Sequence, residues 1–340
     1  MSLLDLTHEQ SEEFDYKKYI VSNAAINKKL KQYVNGSIPR GYKSGFKILD
    51  SVIVCKINEM LACTGKKGRG KTTIQQILFL IWAIANDLTF VLALQENENS
   101  LSKMDLLGYL LGDVPNNILK TDEKLYNKAV NWLDEHFIFL NVESFYEATE
   151  VVKCLISNSK SVHGLFCDPV NSFSSGFSDT NNSYKDDKVT AKKMLDFSTK
   201  YCSVFLSQHP TMANQRSSED VNSYSGEGGH FLNKAHFTWA INRDNGSSVN
   251  RISVDNIRVK YTGGGVTHPE SPLLLHWSPF GIDIEHNGHY EKDIIQALRK
   301  KHNPLKEMFT DDLPNWIEEL PKVDPKDAFK DDENEKDFPF

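Results

Sequence analysis

Eight consecutive residues, Gly65-Lys66-Lys67-Gly68-Arg69-Gly70-Lys71-Thr72, restrict what this chain can fold into more than any other feature. They fit the pattern G-x-x-x-x-G-K-[ST] at every fixed position. Glycines let a backbone curl until its N–H groups converge on an anion. A helix starting directly after the loop adds unsatisfied N–H groups and partial positive charge, so the pattern needs a strand before it and a helix behind it. Both flanks comply: 57–63 is an apolar stretch that reads as a strand, and 72–85 reads as a helix with few breakers. The expected ligand is ATP, or another NTP or dNTP, with Mg2+. Gly65, Gly68 and Gly70 shape the loop, Lys71 neutralises the β- and γ-phosphates, and the Thr72 hydroxyl ligates the metal. Thr73, next in the helix, is a further contact candidate. The alternative is a Gly/Lys-rich loop without a ligand.

From about 45 to 285 apolar strands alternate with helices. Strands are expected at 90–94, 137–140, 162–167 and 203–206, and helices at 101–111, 123–135, 148–157 and 189–200. This alternation predicts an α/β fold with a mainly parallel sheet and helices on both faces. After residue 235 the strands 237–242, 249–261, 273–277 and 282–284 follow one another. They are joined by turns such as Asp244-Asn245-Gly246 and Ser278-Pro279-Phe280-Gly281, which predicts antiparallel C-terminal edge strands. Residues 11–35 read as a helix ended by Asn35-Gly36, packing on its own domain or on a neighbouring subunit. Three regions follow: a helical linker or subunit-packing segment (1–40), an α/β nucleotide-binding domain (41–300) and an acidic tail (301–340) whose composition predicts disorder.

Three more strand ends carry chemistry. The stretch 162–168 is mostly apolar and ends in Asp168, the arrangement of a Walker B carboxylate for Mg2+, although an Asp at a strand end is also a common turn former. The strand 90–94 runs into Gln95 and Glu96; one helix and one strand separate Glu96 from Lys71, so Glu96 is the candidate base for the attacking water, with Glu98 as fallback. The strand 203–206 runs into Ser207-Gln208-His209-Pro210, where His209 is placed to sense a γ-phosphate or simply to cap the strand. The polar, weakly patterned stretches 174–188 and 212–229 each follow a strand end, the edge where α/β sheets bind ligands. They carry Lys185, Lys188 and Arg216, and on residue content alone they also read as plain surface loops.

The net charge of −7 argues against a surface that grips nucleic acid all over, but not against binding along one channel. No apolar run reaches the roughly 18 residues a membrane span needs, and the acidic N-terminus MSLLDLTHEQSEEFDY is unlike a secretory signal. None of the five cysteines forms a CxxC pair, which favours reduced core thiols over a zinc site. No membrane association and a cytoplasmic location are expected, the host cytoplasm if the chain is phage-encoded.

Taken in order, these residues resemble a family, the DnaB/Twinkle group of replicative DNA helicases, phage members included. Gly45-Phe46-Lys47-Ile48-Leu49-Asp50 is similar to its lead-in, Leu94-Gln95-Glu96-Asn97 to its S-x-E-N segment, and Asp168-Pro169-Val170-Asn171 to its D-P-W-N form of Walker B. Gln208-His209-Pro210 resembles A-H-P. The run from Ser225 through Asn233-Lys234-Ala235 resembles S-G-S-x-x-x-x-N-K-A-D, and Asn242-Arg243-Asp244 the V-x-R-D strand end. The likeness covers about residues 40–290. It implies a RecA-like P-loop NTPase core, a hexameric homo-oligomer with nucleotide between subunits, 5′-to-3′ translocation on single-stranded DNA and duplex unwinding. It also implies an arginine finger given in trans, at Arg258, with the channel lined by 174–188 and 212–229 and single-stranded DNA contacted there by Lys185, Lys188 and Arg216. Asn256 stands where the family's K-x-R pattern has Lys, with Lys260 nearby, and His236 stands where Asp is usual. No primase sequence precedes the motor, so a separate primase is expected. The acidic tail ending in Asp337-Phe338-Pro339-Phe340 resembles peptides that dock on a polymerase, a single-stranded-DNA-binding protein or another replication partner. Competing readings are a RecA/RadA-type recombinase ATPase and a nucleotide-regulated loader or scaffold with weak turnover.

Overall fold

The computed structural model describes residues 21–177, 183–209 and 229–305, and the chain divides into Met1–Pro39 and Arg40–Phe340. In the first unit, α1 (Asn23–Val34) carries exposed Ile26, Leu30 and Val34 at intervals of four residues. Residues 11–20, expected to begin this helix, lie outside the described residues.

Ten strands among the described residues of the second unit form one sheet. They are β1 (Met60–Thr64), β2 (Phe90–Leu94), β3 (Phe137–Leu140), β4 (Gly164–Asp168), β5 (Ser203–Gln208), β6 (Phe237–Arg243), β7 (Val249–Ile257), β8 (Leu273–Ser278), β9 (Gly281–His286) and β10 (His289–Glu291). Their order is β10-β9-β8-β7-β6-β1-β5-β4-β2-β3, parallel from β6 through β3 and antiparallel from β6 through β10. The two-residue period of the strands decides which layer each side chain joins. Leu61, Cys63, Phe90, Leu92 and Leu94 face one hydrophobic layer, built from α2 (Lys47–Val52), α3 (Lys71–Asn86), α4 (Asn99–Leu111), α6 (Glu123–His136) and α10 (Ile294–His302). Met60, Ala62, Val91 and Ala93 face the other, built from α7 (Phe145–Ser157), α8 (Ser183–Lys200) and α9 (Gly229–Lys234). Phe79 of α3 anchors the first layer, its ring 4.7 Å from Phe90, 5.3 Å from Phe166 and 4.8 Å from Phe205. The helices therefore lie on both faces, as the alternation predicts. Side chains close several helix starts: a Ser144–Glu147 capping box on α7 and the Asp122 carboxylate on α6.

Two expectations are corrected. The strand expected over 249–261 ends at Ile257, because Lys260–Thr262 turn as a 3-10 helix and Gly263 and Gly264 follow with φ of +95° and +77°. A Cβ on Gly264 would come within 2.9 Å of the Val52 carbonyl oxygen, so the chain must leave the sheet here as glycine. The helix expected over 189–200 starts at Ser183, so Lys185 and Lys188 are helical rather than part of a loop. The polar first turns of α8 hide it, since helical periodicity is read from apolar residues. The short elements α2, α5 (Pro115–Thr121), α9 and β10, together with α10, are additions to the pattern expected from the sequence. No described helix is long and apolar enough to cross a membrane.

Candidate functional site

Four parallel strands bring their C-terminal ends to one edge of the sheet. Thr64 of β1 lies level with Gln208 of β5, and Leu94 of β2 with Asp168 of β4. The glycine-rich loop leaves β1 there and enters α3 with Gly70 as its left-handed N-cap, φ +86°. Gly68 is also left-handed, φ +74°. At Gly65 space decides: a Cβ would lie 2.3 Å from the Ile241 carbonyl oxygen of β6.

Lys71 is buried, and its ammonium donates to the carbonyls of Gly65 at 2.7 Å and Lys66 at 3.1 Å. It stands 2.9 Å from His209 Nδ1. An ammonium can only donate, so Nδ1 is the acceptor and the ring proton sits on Nε2, which faces Glu96 Oε2 at 3.3 Å. The Asn171 Oδ1 accepts from the His209 backbone N–H at 3.2 Å and fixes the ring's base. Burial lowers the Lys71 pKa, opposed by the Asp168 and Glu96 carboxylates. Thr72 Oγ1 donates to Asp168 Oδ2, and burial raises the pKa of this carboxyl. Two hydrogen-bonded groups thus meet at this edge: Lys71, His209 and Glu96 in one, Thr72 and Asp168 in the other. Glu98 accepts from Ser100 Oγ. Thr73 is half-buried on the first turn of α3.

The residues fit a nucleotide triphosphate and a divalent cation. The loop's left-handed glycines and the Lys66 and Arg69 side chains suit an anion, in a cleft whose other charged residues are already engaged, Arg243 on the Gly68 carbonyl and Arg251 on Asp244. A hydroxyl and a carboxylate suit a hard cation that keeps water and phosphate as its other ligands. Among the described residues no cluster of three or more His, Cys, Asp or Glu could hold a metal by itself.

Arg258 is not part of this cluster. Its backbone N–H donates to the His236 carbonyl at 2.8 Å, and its guanidinium to the Asn233 carbonyl. Phe237 pairs with both Leu61 and Ile257, while Thr64 is level with Ala240. Arg258 therefore sits where β1 begins, about five strand residues or roughly 16 Å from the loop, beyond an arginine's reach. Asn256 is exposed opposite Thr238, Lys260 is exposed in the turn, and His236 Nδ1 accepts from the Met60 N–H at 3.0 Å. Lys185 and Lys188 are exposed on α8. Arg216 and the rest of 212–228 lie outside the described residues, as does the tail from 306.

Three contacts that support the loop escape a reading of the sequence. Arg243 Nη2 donates to the Gly68 carbonyl at 2.9 Å, Asn250 Nδ2 donates to the Arg69 carbonyl at 2.6 Å, and Trp277 Nε1 donates to Asn250 Oδ1 at 2.6 Å. One signal is available: Asn250 shares the inward register of β7 with Ile252 and Val254, and a polar residue buried there needs partners.

No protein-family model and no curated protein matches the chain. Solved structures do. The chain is similar to a solved ATPase domain, with a TM-score of 0.61 and 10% identity over 80% of this chain and 99% of that one. It is also similar to a DnaB-like replicative helicase described with its interactions with primase, with a TM-score of 0.60 and 13% identity over 77% of this chain and 66% of that one. A RadB recombinase aligns with a TM-score of 0.46 and 14% identity. With its parallel core, antiparallel edge and helices on both faces, the chain has a RecA-like fold.

Proposed function

We propose that this chain is a Mg2+-dependent nucleoside triphosphatase that drives a ring-shaped replicative helicase along single-stranded DNA, 5′ to 3′. One observation carries the reading. The groups needed to bind and cleave a triphosphate meet at one sheet edge, while the arginine that the resemblance assigns to catalysis, Arg258, lies at the other. Such a site is completed by a second copy of the chain, which is what a ring supplies.

The loop N–H groups and Lys71 would hold the β- and γ-phosphates, and Thr72 and Asp168 would hold Mg2+, which would supply charge neutralisation at the phosphate oxygens. Glu96 orients a water and takes its proton as the water oxygen attacks the γ-phosphorus. The bond to the bridging oxygen breaks and the diphosphate leaves. Arg258 of the neighbouring subunit stabilises the charge that builds there. His209 touches both Lys71 and Glu96, so loss of the γ-phosphate changes its hydrogen bonds and passes to the segment behind it. Lys185, Lys188 and Arg216 are the proposed DNA contacts. The named helicase neighbour is described with primase, and a separate primase is the proposed partner here too, with the acidic tail, outside the described residues, as a docking peptide for replication proteins.

The test is strand release from forked duplexes in which either the 5′ or the 3′ tail alone is long enough for the protein to load. ATP-dependent release from the 5′-tailed fork, lost in Lys71→Ala, is expected. Release from the 3′-tailed fork alone contradicts the direction, and DNA pairing without release favours a recombinase.

A further inference from the structure

The antiparallel edge of the sheet touches the glycine-rich loop at two consecutive carbonyls, those of Gly68 and Arg69. A trans peptide is planar, with its N–H and C=O pointing in opposite directions. The carbonyl of Gly68 belongs to the same peptide unit as the N–H of Arg69, and the carbonyl of Arg69 to that of the Gly70 N–H. Whatever holds these two carbonyls outward therefore turns the Arg69 and Gly70 N–H groups inward. Arg243, at the end of β6, holds the first at 2.9 Å, and Asn250, on β7, holds the second at 2.6 Å.

The Asn250 amide has one workable orientation. Trp277 Nε1–H can only donate, and the Arg69 carbonyl can only accept. The oxygen of the amide must face Trp277 and its NH2 must face Arg69, as observed. Asn250 is fully buried, so water cannot substitute for either partner. Trp277 on β8 thereby sets the amide that sets the loop.

We infer that Arg243, Asn250 and Trp277 are positioning residues for phosphate binding: they pre-aim the Arg69 and Gly70 N–H groups before a nucleotide arrives. This rests on the proposal that the loop binds a nucleotide. A loop left to find its own aim must be ordered on binding, which weakens affinity without removing any ligand contact.

The experiment measures Kd for fluorescently labelled ADP with Mg2+ on the full chain, at a temperature where every variant is folded. Amide hydrogen exchange over 65–72 is followed in parallel. Arg243→Met and Asn250→Leu are each expected to weaken binding about tenfold and to speed exchange in the loop. Trp277→Phe is expected to weaken binding in the wild-type background and to have no further effect in Asn250→Leu. A merely structural role would lower the melting temperature and leave both the affinity of the folded protein and loop exchange unchanged; that result overturns the inference. Should Asn250→Leu fail to fold, half-buried Arg243 decides by the same two readouts. Wild-type protein that does not bind labelled ADP overturns the nucleotide reading itself, whereas variants that bind like wild type overturn only this inference.

Discussion

The two ends of the parallel strands are built on opposite plans. At the end where the strands finish, Lys71, His209, Glu96, Thr72 and Asp168 satisfy one another within a single chain. At the end where they begin, the charge is sorted into two kinds. Lys56 and Glu59 are buried around Thr262: Lys56 Nζ donates to Thr262 Oγ1 at 2.9 Å, and Thr262 Oγ1 lies 2.6 Å from Glu59 Oε1. Just beyond this knot Arg258, Lys260 and Tyr261 stand exposed on the turn it braces. Arg258 holds its guanidinium on the Asn233 carbonyl of its own chain, and the proposed shared site requires it to reach a neighbouring copy instead. The contrast teaches that burial fixes Lys71 and Asp168 at one end and Lys56 and Glu59 at the other, while Glu96 and Arg258 both stand exposed.

The sharpest way to break this contrast is Arg258→Ala. It should slow turnover about a thousandfold while leaving nucleotide affinity intact. Mixing it with Lys71→Ala subunits should restore part of the turnover, since an intact loop then meets an intact arginine. Steady-state hydrolysis of the mixture checks this, and no recovery on mixing would place the arginine's role within its own chain.

A smaller effect belongs to the brace. Thr262→Val removes the hydroxyl between Lys56 and Glu59 and should cost about 1–3 kcal/mol of stability, read by denaturant unfolding. An unchanged midpoint would mean that the knot does not hold the turn.

The smallest effect is acid sensitivity. His236 Nδ1 accepts from Met60 N–H, and His163 Nδ1 accepts from Thr89 N–H at 2.9 Å, both at the strand-start end. Burial lowers both pKa values below the ordinary 6.5. A histidine lowered in this way contributes stability that is fully present above 6.5 and is lost as the pH falls from there through its folded-state value. The melting temperature should be flat above that pH and decline below it, less steeply in His236→Gln. Equal slopes would move the acid-sensitive group elsewhere.

The parallel core and the polar residues that gather at its strand ends could be read in the sequence, because each such strand is an apolar run that stops at a polar residue, as Leu94 stops at Gln95 and Cys167 at Asp168. Strand β2 and strand β3 have the predicted limits. What stayed hidden follows other physics. The helices α2 and α9 are too short, at 6 residues each, for a period to show. The first turns of α8 carry too few apolar residues for a periodicity count to use. The loop's supports act on backbone carbonyls from 175 and 181 residues away, and no local pattern reports such a contact. The fold's topology alone brings Arg243 and Asn250 to the loop.

The most direct test of the central claim is the rate of ATP hydrolysis with and without single-stranded DNA, for the wild type and for Glu96→Gln. The account predicts strong stimulation by DNA and a fall of about a hundredfold or more on substitution, with ATP still bound. A basal rate indifferent to DNA, or a Glu96→Gln protein that turns over like the wild type, would contradict it.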